Sequence, residues 1–259
     1  MAELITIKGL QKVYRSRSAV VHALGPIDLN VYDGEFVAVV GPSGCGKSTL
    51  LLLVAGLMES EAGEVWIKGD LVKGPQTNIG IVFQTPVLAD WRDVLGNVLL
   101  QIEMRGLNAA DYKARALELL DSVGLRGFEK FYPFELSGGM QQRVAFCRAL
   151  IHDPPLVLMD EPLGALDALT REQLRLDLEQ LWLSTRKTVL FVTHSISEAV
   201  QLADRVVVFT PRPGTIERII QVDLPRPRTM EVRESPQYQK YIHEITEIFM
   251  NFGVLKEHK

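Results

Sequence analysis

The residues Gly41, Pro42, Ser43, Gly44, Cys45, Gly46, Lys47 and Ser48 constrain this chain more than any other stretch. They fit the pattern G-x-x-x-x-G-K-[ST]. They stand between a Val-rich run, Phe36 to Val40, and an apolar stretch that opens at Thr49 and Leu50. Strand, glycine loop, then helix is the context in which this pattern carries a mechanism. The glycines let backbone N–H groups turn inward around anionic oxygens, and a helix start adds positive potential. Lys47 supplies a mobile positive charge for the outer phosphates of a nucleotide, and the Ser48 hydroxyl is a ligand for Mg²⁺. The loop predicts a nucleoside triphosphate site, with hydrolysis as its expected use.

The flanking pattern agrees. Short Val- and Ile-rich strands are expected at Leu4–Ile7, Ile27–Val31, Phe36–Val40, Val65–Ile67 and Ile79–Phe83, with one helix from about Gly46 to Gly56. From about Leu95 the chain turns helical. Ala114, Leu117, Leu120 and Val123 keep helical spacing, and a second helix runs from Gly138 until Pro154 and Pro155 stop it. Strand and helix then alternate: Leu156–Met159, Leu169–Thr185, Thr188–Val192, Ser197–Leu202 and Val206–Phe209. Alternation implies a mostly parallel sheet flanked by helices. The alternation gives an α/β core split by a helical insertion, and the expected fold is a P-loop NTPase core with a mostly parallel sheet, an N-terminal antiparallel β part and an inserted helical subdomain. Its expected parts are 1–84 with 153–215 as core, 85–152 as the helical subdomain, and 216–259 as a tail. In that tail Ser235 and Pro236 open a helix with Tyr238, Tyr241, Ile242, Ile245, Phe249 and Phe252 on one stripe. The stripe packs on the core or serves as a partner surface.

Composition narrows the setting. The 259 residues carry a formal net charge of -4, which makes no basic field for nucleic acid, so no nucleic-acid partner is expected. The longest apolar run, Leu50 to Met58, falls well short of the roughly 20 residues a membrane span needs. The first residues, Met1 to Leu4, lack the features of a signal peptide, so a cytosolic location is expected. Cys45 and Cys147 have neither metal-ligand spacing nor a disulfide framework, and read as small buried or loop residues.

Two further stretches carry chemistry. Leu156 to Met159 is an apolar run that ends in Asp160 and Glu161. An aspartate ending a buried strand is a magnesium contact in such folds, usually through water, and Glu161 stands where α/β sheets bind ligands. A carboxylate there can orient and deprotonate a water. The second stretch is Leu136, Ser137, Gly138, Gly139, Met140, Gln141, Gln142 and Arg143, just before a helix. A Ser-Gly-Gly helix start is a second anion cradle. A chain that already has one phosphate loop uses a second cradle if it acts on nucleotide held by another copy.

With Leu136 to Gly139 the sequence resembles the ATP-binding subunits of ABC transporters, over about Ile5 to Gly214. The resemblance implies a head-to-tail dimer with two ATP molecules, each between the phosphate loop of one copy, extended by Thr49, and Ser137, Gly138 and Gly139 of the other. It implies that Tyr14 stacks on adenine and that Gln84 contacts Mg²⁺ and the γ-phosphate. Asp167 would communicate across the dimer, and His194 would contact the γ-phosphate and help position the water. The catalytic set is then Lys47, Gln84, Glu161 and His194; the metal set is Ser48, Gln84 and Asp160.

Within the family the chain is most similar to bacterial importers of nitrate, sulfonates and taurine, and to related importers of pyrimidine precursors. The stretches that carry this are Phe83 to Leu88, Trp91 with Arg92, Gly164 to Arg171, and Pro211 to Gly214. The implied protein is a peripheral ATPase at the cytoplasmic face of the membrane. Its partners are a separate permease and, indirectly, an extracytoplasmic solute-binding protein. The alternative is an ABC-type ATPase of DNA repair or ribosome function. Trp91, just after Gln84, is either part of the surface that receives the permease or core packing.

Overall fold

Phe36–Val40 is buried at every position, the mark of a strand covered on both faces. Thr188–Thr193 is likewise fully buried, and Leu156–Asp160 is buried until its last residue. The computed structural model describes residues 2–16 and 19–255. Met1 of the expected core and 256–259 of the expected tail lie outside the described residues.

The chain forms β1 (Glu3–Arg15), β2 (Val20–Tyr32), β3 (Phe36–Val40), α1 (Lys47–Val54), β4 (Ala62–Ile67) and β5 (Asp70–Leu71). It continues with β6 (Ile79–Val82), α2 (Val94–Met104), α3 (Ala109–Ser122), α4 (Gly138–Leu150), β7 (Leu156–Asp160) and α5 (Ala168–Thr185). It closes with β8 (Thr188–Thr193), α6 (Ile196–Leu202), β9 (Arg205–Phe209), β10 (Ile216–Gln221), α7 (Met230–Glu234) and α8 (Pro236–Asn251). Two compact units result, Met1–Thr77 with Arg186–Lys259, and Asn78–Thr185. The expected helical segment 85–152 falls inside the second, which also holds β6, β7 and α5.

In the first unit β1 pairs antiparallel with β2, Ile5 opposite Val31, and with β4, Ile7 opposite Val65. A second group carries β3 between two parallel neighbours, β8 and β9, while β10 joins β9 antiparallel. In the second unit β6 and β7 pair in parallel, Gly80 opposite Val157. The α/β class, antiparallel at the start and largely parallel afterwards, is as the strand pattern predicts.

The expected stripe of α3 needs correction. Ala114 and Leu117 are exposed, and the buried face runs through Ala116 and Leu120 to Val123. Spacing alone fits both faces; packing selects the one that carries Ala116. In α8 the buried residues are Tyr238, Ile245, Ile248 and Phe249, and the Tyr238 hydroxyl donates to Ser197 O at 3.1 Å. The tail helix therefore packs on α6 of its own unit, the first of the two expected readings. Trp91 is 80% exposed, which removes core packing as its role. Both cysteines are buried.

Candidate functional site

The first unit builds an anion cradle from β3 and α1. β3 ends at Val40, the chain turns through the glycine loop, and α1 begins at Lys47. Gly46 stands at φ 104, a conformation L side chains rarely adopt. A Cβ on it would also lie 2.6 Å from Leu24 Cδ2 and 2.7 Å from Ala23 O. No side chain caps the start of α1, and its first turn holds no acid. Helix starts are normally satisfied by a capping side chain, and a start without one suits an exogenous anion. Lys47 is 4% exposed, and its Nζ donates to Gly41 O at 2.9 Å and Pro42 O at 3.1 Å. Ser43, Gly44 and Ser48 are exposed along the same loop.

Two more expected residues stand at this edge. Val40 is paired with Thr193 in parallel register, so Gly41 and His194, the residues that follow, leave neighbouring strands at the same end. His194 is exposed there. Tyr14 is 40% exposed, and its hydroxyl shares a 3.1 Å hydrogen bond with Thr49 Oγ1, on the first turn of α1. Of the other histidines, His152 is pushed down to about 4, by burial first and then by the nearby Arg105 charge, so it stays neutral at physiological pH.

The second unit gathers the acidic residues. Val82 is opposite Met159, so Gln84, Asp160 and Glu161 follow the same ends of a parallel pair. A Cβ on Gly164 would lie 3.3 Å from Gln84 Nε2 and 3.7 Å from Glu161 Oε2, so both functional groups converge on that one backbone position. Glu161 itself stands at φ 44. A non-glycine residue holds such a conformation at a cost of about 1–3 kcal/mol, which marks sites where aim matters more than stability. Asp160 is half-buried at the end of β7.

The Ser-Gly-Gly stretch opens α4. Ser137 is the N-cap, its Oγ accepting from Met140 N at 3.3 Å, and Ser137 and Gly138 are exposed. Gly139 is buried because the Thr170 γ-methyl lies 2.4 Å from where its Cβ would stand. Asp167 caps α5 by accepting from Thr170 N at 3.0 Å. The Thr170 side chain, then its N–H, hold the Asp167 carboxyl below the usual carboxylate range.

Several supporting residues escape sequence reasoning. Gln142 is buried and donates to Phe83 O at 3.1 Å, which fixes the backbone just before Gln84. Arg148 donates to Pro86 O and Val87 O at 2.7 and 2.8 Å. Arg171 donates to Leu163 O and Leu166 O, ahead of Asp167. Each bonds a carbonyl, which no side-chain pattern encodes.

Gly214 is a further case. A Cβ on it would lie 2.0 Å from Cys45 O, and its N–H donates to Ala23 O at 3.0 Å. Overpacking costs about 1–3 kcal/mol, and each 1.4 kcal/mol is tenfold in affinity. Gly214→Ala is therefore expected to displace the phosphate loop and weaken ATP binding about tenfold in titration calorimetry. Unchanged affinity with an intact fold would show that the loop yields without consequence.

The family described as ABC transporter matches residues 24–164. An uncharacterised ABC transporter ATP-binding protein of Methanocaldococcus jannaschii is 48% identical over 241 residues, covering 93% of this chain and 90% of its own. The chain belongs to the ABC transporter family. The taurine import ATP-binding protein TauB of Jannaschia sp. is 44% identical over 87% of this chain and 85% of its own. The aliphatic sulfonates import ATP-binding protein SsuB of Bacillus licheniformis is 40% identical over 95% and 94%. Among solved structures, a dimeric post-hydrolysis state of an ATP-binding cassette bound to ADP and Pi superposes with a TM-score of 0.74. It is 34% identical and covers 85% of this chain and 99% of that one. Family, fold and phosphate loop make this an ABC-type, ATP-hydrolysing subunit. None of the relatives named here carries a DNA-repair or ribosomal name.

Proposed function

We propose that this chain energises uptake of a small organic anion of the sulfonate or taurine kind through a separate permease. The observation that carries the reading is the pair of helix starts suited to an anion, the uncapped one at Lys47 and the exposed Ser-Gly-Gly start at Ser137, each in its own unit. A single nucleotide bound to one copy uses the first. The second then acts on nucleotide held by another copy, so the working form is a head-to-tail dimer with two ATP molecules. The dimeric cassette to which this chain is similar supports that reading.

The residue roles follow from their chemistry. The loop N–H groups and Lys47 hold the phosphates, Tyr14 carries the base, and Ser48, Gln84 and Asp160 are oxygen ligands suited to Mg²⁺. That ion would supply positive charge to neutralise the phosphates. Glu161 orients a water and takes its proton, and His194 hydrogen-bonds the terminal phosphate. Ser137 and Gly139 complete the site from the second copy, and Asp167 lies on the loop that would report across the pair.

The exposed Trp91, close in sequence to Gln84, would belong to the surface that receives the permease. The protein would then work at the cytoplasmic face of a membrane, with an extracytoplasmic binding protein delivering the solute. No helix among the described residues is long and apolar enough to cross a membrane.

The test is copurification from membranes, followed by uptake assays in vesicles with taurine, an alkanesulfonate, nitrate and a pyrimidine precursor. ATP-dependent uptake of a sulfonate is the expected result. Uptake of nitrate or the pyrimidine precursor alone would reassign the cargo, and copurification with no membrane protein would sink the transport reading.

A further inference from the structure

The geometry points to Arg228, with Arg226, as positioning residues for His194, acting through α6. This rests on the proposed role of His194 at the terminal phosphate. A helix ends with carbonyl groups that lack partners within it. In α6 these are Val200, Gln201 and Leu202, with Ala203 at the cap. All four accept from the two arginines. Arg228 Nη1 donates to Val200 O at 2.8 Å, Gln201 O at 3.2 Å and Ala203 O at 2.6 Å, and Arg226 Nη2 donates to Leu202 O at 2.7 Å.

Arg228 is 1% exposed, and its other terminal nitrogen donates to Val222 O at 3.2 Å. In return, Gln201 Nε2 donates to Arg228 O at 3.0 Å. Arg226 is also paired with Asp204 at 2.8 Å, whose second oxygen accepts from Phe36 N, at the start of β3. Two positive charges at the negative end of the helix dipole are favourable there. Burying a guanidinium is costly unless its donors are used, and here Arg228 Nη1 is directed at the end of one seven-residue helix.

The opposite end of α6 begins two residues after His194, with Ser195 as its cap. Thr193, the last residue of β8, donates from Oγ1 to Glu198 Oε2 at 2.6 Å and accepts from Ser195 N at 3.0 Å. Ser195 Oγ caps the helix by accepting from Glu198 N at 3.3 Å. His194 and the cap Ser195 are thus the two residues between a sheet position paired with Val40 and a helix held at its far end by the arginines, roughly 10 Å along the helix. A shift of α6 is taken up by backbone rotation at these two residues. Arg226 and Arg228 lie beyond the family match, which ends at residue 164, so this clamp comes from the chain's C-terminal part.

The experiment is imidazole NMR on the full chain with isotopically labelled histidine, alongside steady-state ATPase kinetics. The chain has five histidines, and the His194 signal is assigned by its loss in His194→Gln. In Arg228→Gln the His194 signal should shift or split while those of His22 and His243 stay. A displaced catalytic group costs up to about 100-fold, so kcat should fall about tenfold or more with the KM for ATP held within about twofold. Arg228→Lys, which keeps a cation and one donor at the helix end, should recover part of both changes. An unmoved His194 signal in folded Arg228→Gln overturns the inference. So does a loss of kcat matched by an equal rise in KM. If Arg228→Gln does not fold, Arg226→Gln is read the same way with a smaller shift expected, and no shift there also overturns it. Wild-type ATPase activity in His194→Gln would remove the role of His194, while its NMR signal would still decide whether the arginines position it.

Discussion

Lys47→Ala should abolish measurable ATP hydrolysis and weaken ATP binding by at least tenfold. The side chain is buried, so the substitution removes a positive charge from a place water does not reach. It also leaves the carbonyls of Gly41 and Pro42 without the ammonium they now accept from. A hydrogen bond to a charged group contributes about 1.5–3 kcal/mol, which corresponds to roughly 10- to 150-fold in affinity. Removing one group that stabilises developing charge costs a further factor of about 10²–10³ in turnover. Lys47→Arg should not restore activity, because the guanidinium is planar and too large for a pocket closed by loop carbonyls. Calorimetry measures the affinity and phosphate release the turnover, with circular dichroism to verify the fold. Normal turnover in Lys47→Ala would overturn the loop's assigned role.

Glu161→Gln should separate binding from chemistry. The two side chains have the same shape, and both bear the φ of 44 at equal cost, so folding stability should be close to unchanged. What disappears is a proton acceptor beside the Gln84 amide, at the point where both face Gly164. General base catalysis contributes about 10²–10⁴-fold, so kcat should drop by that order while ATP still binds. If hydrolysis is what reopens the dimer, the variant should accumulate as a stable pair with ATP and magnesium and elute as a dimer in size exclusion. A monomer under those conditions, or turnover above about a tenth of the parent rate, counts against Glu161 as the base.

The central strands were legible because burial on both faces demands continuous apolar runs. Phe36–Val40 is read to the residue, and β7 and β8 to within one. β1 and β10 were not. β1 runs to Arg15, well past the expected Ile7, through Lys8, Gln11 and Lys12 and several register shifts. Its later pairing rests on backbone hydrogen bonds and asks little of the side chains. β10, with exposed Glu217, Arg218 and Ile219, escaped notice for the same reason.

At the site, Gly41 to Ser48 was complete in the sequence, because glycine, lysine and serine are there for what their own atoms do. The chain by itself therefore determined the phosphate-loop pattern and the family, and it marked the acid strand and the Ser137 helix start as candidates. Only the tertiary structure showed that Gln84 and Glu161 converge on Gly164, and that Gly214 abuts the loop at Cys45. It alone showed two tail arginines closing the helix that follows His194. Those contacts end on backbone atoms, which every residue carries alike, so position in space selects them and residue type does not.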